Sequence, residues 1–71
     1  MSYTGEGTIE VLGRTYNYVS EYVEGDAPEI RVTFYLDGLF VRRMQEAAPE
    51  STIVAWFKED MLREGSFEGQ G

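Results

Sequence analysis

Asp37-Gly38, set between two apolar runs, constrains this chain more than any other feature. Asp-Gly tolerates the positive φ angles that a two-residue type I′ hairpin turn demands at both central positions. The run before it, residues 29–36, alternates cleanly as Glu-Ile-Arg-Val-Thr-Phe-Tyr-Leu, and residues 39–44 read as the return strand. Pairing across this turn sets Leu36 opposite Leu39, Phe34 opposite Val41, Tyr35 opposite Phe40, Thr33 opposite Arg42 and Arg31 opposite Met44.

A second hairpin precedes the first. Residues 8–12 alternate, with Ile9 and Val11 on one face and Thr8 and Glu10 on the other. Gly13-Arg14 reads as a type II′ turn, with glycine at its first central position. That turn pairs Val11 with Tyr16 and Ile9 with Tyr18, and collects the four on one face. The second strand spans residues 15–23. Its alternation weakens at Val19-Ser20, where a bulge is expected. Residues 24–28, rich in Gly, Asp and Pro, form the next connection.

Beyond Met44 the period changes. Pro49 suits a first helical turn, with Ser51 or Ala48 near the N-cap. Ile53, Val54, Phe57 and Met61 recur at helical spacing through residues 51–64, with Trp56 and Leu62 at the margins of the stripe. Gly65 is the expected C-cap. Residues 1–6 read as a loose start and 66–71 as a flexible tail. The chain is therefore expected to be a single α+β domain spanning residues 1–71. Its architecture is a four-stranded antiparallel meander (β-β-β-β-α) with one C-terminal helix packed on one face. The sheet side of the core is assigned to Ile9, Val11, Tyr16, Tyr18, Ile30, Val32, Phe34, Leu36, Leu39 and Val41. Ile53, Phe57 and Met61 supply the helix side.

Composition narrows the chemistry. The 71 residues include no His and no Cys. Disulfides and thiolate nucleophiles are excluded, the usual catalytic base is missing, and an ordinary zinc site has no ligands. No pair of carboxylates is singled out for acid–base work, and no phosphate-cradling glycine motif is present. Neither a metal nor a cofactor is expected, and the reading is non-enzymatic. No apolar run reaches the roughly 20 residues that span a bilayer, and residues 1–7 lack the features of a secretory signal. The expected compartment is cytoplasmic, with no membrane contact.

Function is sought on the sheet face away from the helix. The register above places Arg31, Tyr35, Phe40, Arg42 and Met44 there, residue types enriched in protein interfaces. Val19 and Val23 join them if the second strand keeps its phase. The leading expectation is a small interaction module that binds a protein partner, or itself, through this face. A small domain without disulfide or metal gains from burying a second surface.

The net charge of −7 opens another reading. Glu21, Glu24, Asp26, Glu59, Asp60 and Glu64 would then form an acidic surface that imitates a phosphate track. Such a chain would be an inhibitor of a nucleic-acid-binding protein, of the kind a phage directs against host defence. Direct nucleic-acid binding is disfavoured, because Arg31, Arg42 and Arg43 are too few within so acidic a chain.

Overall fold

The computed structural model describes residues 4–68. Four strands follow one another, β1 (Thr4–Val11), β2 (Arg14–Val23), β3 (Glu29–Leu36) and β4 (Leu39–Glu46). They form one antiparallel sheet in the order β1-β2-β3-β4, and a single helix, α1 (Glu50–Glu68), completes the α+β fold. The loose start expected over residues 1–6 is replaced from Thr4 onward by β1, and residues 1–3 lie outside the described residues.

The first turn differs from the expected one. Val11 pairs with Arg14, so the turn is Leu12-Gly13 rather than Gly13-Arg14. Both residues have positive φ, 53° and 76°, as a type I′ turn requires. The register therefore pairs Ile9 with Tyr16 and Gly7 with Tyr18. Because the change is two residues, every side chain keeps its face. A close approach explains the choice. The Tyr18 ring lies across Gly7, and a Cβ at that position would meet Tyr18 Oη at 2.6 Å.

β2 keeps one register along its whole length with both neighbours, so the bulge expected at Val19-Ser20 is not there. The irregularity lies in β4. Tyr35 pairs with Phe40 but Phe34 pairs with Arg42, which leaves Val41 as an extra residue. From Arg42 onward every side chain is on the face opposite to the one expected. The shift packs the apolar Met44, partly buried, against the core and sends Arg43 outward.

The core lies between the sheet and one stripe of α1. Val11, Tyr16, Val32, Phe34, Ile53 and Phe57 are buried. Phe34 and Phe57 stack with ring centroids 3.7 Å apart, and Tyr16 meets Phe57 edge-on at 5.3 Å. Leu39, assigned to the core by its pairing, is 72% exposed at the sheet end. Trp56 is 40% exposed, leaving the helix-to-sheet packing to Phe57 one position on.

The helix starts one residue earlier than its periodicity suggests. The Pro49 carbonyl accepts hydrogen bonds from the Thr52 and Ile53 amides, so Pro49 caps the helix rather than Ser51 or Ala48. α1 also continues through Gly65 and Ser66 to Glu68, past the expected C-cap. The last part of the expected tail, residues 69–71, lies outside the described residues.

Two substitutions test this architecture. Leu12→Asn puts a residue that tolerates positive φ where Leu12 is strained and is expected to raise stability by about 0.5–1 kcal/mol in urea titration. Phe57→Ala removes the centre of the aromatic cluster and is expected to cost about 3–5 kcal/mol.

Candidate interaction surface

Strand alternation and register divide the side chains between two faces. The helix-bearing face carries Tyr16, Tyr18 and Ser20 of β2 with Ile30, Val32 and Phe34 of β3. It also carries two polar latches, both unforeseen from sequence. At the start of α1 the Glu50 carboxylate accepts hydrogen bonds from the hydroxyls of Ser20 and Tyr18, the latter at 3.5 Å. Toward the other end, Arg42 reaches Asp60 at 3.4 Å and Glu64 at 2.8 Å. The sheet is thus tied to the helix near both ends of the helical stripe.

The opposite face is uncovered among the described residues. The register lays its side chains in cross-strand rows. One row runs Thr8, Asn17, Tyr35, Phe40, the next Glu6, Val19, Thr33, Arg43. A third ends in Glu21, Arg31, Gln45, beyond which lie Val23 and Glu29. Of the five residues expected there, Arg31, Tyr35 and Phe40 are present. Arg42 and Met44 are not, because the extra residue in β4 turns them toward the helix. Arg43 takes their place, and Val19 and Val23 belong to the face because β2 keeps its phase.

The relief of this face is uneven. On the β3–β4 side Phe40 is 60% exposed, and the Arg43 guanidinium lies 5.8 Å from its ring centroid. Arg43 Nε also donates to Thr33 Oγ1 at 3.3 Å, which leaves Thr33 only 4% exposed on an otherwise open face. On the β1–β2 side there is a shallow trough of about 480 Å³ lined by Glu6, Thr8, Asn17 and Val19 together with Gly7 and Tyr18 between them in sequence. Arg31 and Gln45 are bonded at 3.1 Å, Gln45 and Glu29 at 2.8 Å, and Arg31 approaches Glu21 at 3.8 Å. The face is therefore a raised aromatic and cationic side next to a hollow acidic one.

The acidic residues expected to form one track fall in separate places. Glu21 is on the open face beside Arg31, and Glu24 and Asp26 are in the β2–β3 connection. Asp60 and Glu64 are engaged by Arg42 on the helix side, with Glu59 exposed next to them. No three acidic side chains among the described residues cluster closely enough to hold a metal ion. A second hollow of about 240 Å³ lies between the turn end of the sheet and α1, lined mainly by Leu12, Tyr16, Leu36, Val41 and Met61. It is below the roughly 300 Å³ at which small-molecule pockets usually begin. No described helix is long and apolar enough to cross a membrane.

Adjacent arginines of β4 should therefore behave differently. Arg42→Met strips the bridge to Asp60 and Glu64 and is expected to cost about 1 kcal/mol of stability. Arg43→Met, on the open face, is expected to change stability by no more than about 0.5 kcal/mol. Ser20→Ala leaves the Glu50 carboxylate short of a buried donor and is expected to cost about 1–3 kcal/mol. Urea unfolding of the three variants checks the order. No protein-family model, curated protein or solved structure matches this chain, so its surface is read from its own geometry.

Proposed function

We propose that this chain is a non-enzymatic protein-interaction domain whose contact surface is the open sheet face around Tyr35, Phe40, Arg43 and Arg31. The observation that carries this reading is Phe40. A large aromatic side chain stands 60% exposed at the edge of an uncovered sheet, beside Tyr35 and under a guanidinium. A sheet face destined for water alternates to polar residues, whereas aromatic and Arg side chains grouped together mark protein contacts. The absence of His and Cys from the sequence adds to the case against catalysis. Four carboxylates on this face, Glu6, Glu10, Glu21 and Glu29, outnumber Arg31 and Arg43, which disfavours a phosphate backbone as the ligand. No feature favours the nucleic-acid mimic over this reading, since its carboxylates are dispersed and several are paired within the chain.

The double variant Tyr35→Ser, Phe40→Ser tests the proposal. It is expected to keep the thermal unfolding midpoint within a few degrees, because neither ring belongs to the buried cluster. It is expected to lose self-association and capture of protein partners together. Binding equal to wild type, or a wild-type protein that binds neither a copy of itself nor any other protein, would contradict the reading.

A further inference from the structure

Resting on that reading, we infer that the occupant of the open face is a second copy of this chain, packed sheet to sheet about a two-fold axis parallel to the strands. The rows of the face carry the argument. A two-fold axis along the strands, running between β2 and β3, reverses each row and keeps its height along the strands. β1 of one copy then lies over β4 of the other, and β2 over β3.

Reversal makes the charges answer one another. In the row Glu6, Val19, Thr33, Arg43 the acid and the cation stand at opposite ends, about 14 Å apart across three strand spacings. Reversed on itself, this row sets Glu6 against Arg43 of the second copy, and Arg43 against its Glu6. In the next row Glu21 and Arg31 occupy the two central strands. Reversal sets Glu21 over Arg31 and Arg31 over Glu21, so the pair within each chain becomes part of an alternating ring of four charges. Packed sheets lie about 10 Å apart, a gap that extended Arg and Glu side chains bridge together. Glu10, one row nearer the turns, has no cation opposite it.

Shape follows the same symmetry. The trough, which includes Glu6, Thr8, Asn17 and Val19 in its lining, is on the β1–β2 side, and the exposed Phe40 with Tyr35 and Arg43 beside it is on the β3–β4 side. The reversed row places Phe40 of one copy over Thr8 of the other, and Tyr35 over Asn17. Each aromatic side enters the other copy's trough. A two-fold axis running across the strands is excluded on the same grounds. It would stack β1 on β1, setting acidic edge against acidic edge and aromatic side against aromatic side. From strand spacings each copy contributes a footprint of about 500 Å², roughly 1,000 Å² for the pair, the threshold for a specific interface.

The test separates the face into its two signs. One variant, Arg31→Glu with Arg43→Glu, makes the face wholly acidic. The other, Glu6→Arg with Glu21→Arg, makes its central rows wholly basic. Circular dichroism first establishes that both fold; all four residues are on the open face, away from the core. In sedimentation equilibrium the wild type is expected to dimerise at about 0.1 mM or below and to weaken as salt rises. Each variant alone is expected to dimerise about 100-fold more weakly, and an equimolar mixture to recover to within about tenfold of wild type. A wild-type dimer whose affinity ignores salt, or a mixture that stays monomeric, would overturn the inference. A monomeric wild type whose capture of another protein still needs Tyr35 and Phe40 would overturn it too, and would leave the reading of the face as a contact surface standing.

Discussion

Val41 is the extra residue on which the division of this molecule depends. Without the bulge that Val41 forms, with Val41 paired to Phe34 and Arg42 to Thr33, alternation would continue from Phe40 through β4 and put Arg43 and Gln45 beneath the helix. Two long polar side chains would then compete with Ile53 and Phe57 for the same buried space, while Met44 stood in water. With it, Met44 joins the core, Arg42 reaches the helix carboxylates, and Arg43 turns to the open face. One inserted residue thus satisfies the helix side and equips the other side with a cation.

The helix needs that help. It is the only layer over the sheet among the described residues, and its contact is concentrated on the Phe34–Phe57 stack and Ile53. An aromatic stack fixes position at one point and leaves rotation about that point weakly opposed. The Glu50 latch on Ser20 and Tyr18, and the Arg42 latch on Asp60 and Glu64, oppose it from both sides. This also explains where some of a net charge of −7 resides. Glu50, Asp60 and Glu64 work within the chain as fastenings, and Glu21 is paired beside Arg31. The open face keeps the remaining contrast, with acid on the β1 edge and a cation on β4.

The legible parts of the fold were those governed by alternation and turn chemistry. Asp37-Gly38 specifies its turn because both residues accept positive φ, and the observed angles of 53° and 81° agree. The first hairpin is legible in the sequence but its register is not: Gly13-Arg14 points two residues away from the observed pairing, since Leu12 is a poor sequence signal for positive φ. The room Tyr18 needs over Gly7 is a tertiary fact that turn propensity does not contain. The bulge at Val41 was illegible for a similar reason. Phe40, Val41, Arg42, Arg43 and Met44 offer no break in pattern, and two adjacent arginines look alike until the helix carboxylates choose one. That choice depends on Asp60 and Glu64, about twenty residues further on. Arg31, Tyr35 and Phe40 fall on the open face as the sequence register predicts, because they precede the bulge in the pairing or rest on β3, whereas Arg42 and Met44 follow it and turn to the helix.

The position of the extra residue is open to direct measurement. Proton–proton Overhauser contacts from the Met44 methyl group report its face. The structure predicts contacts to the buried cluster of Val32, Phe34, Ile53 and Phe57, with Arg43 side-chain protons near Phe40 and Thr33. Contacts from Met44 to Arg31 and Tyr35, with Arg43 beneath the helix, would mean that β4 has no extra residue and that the two faces are divided differently.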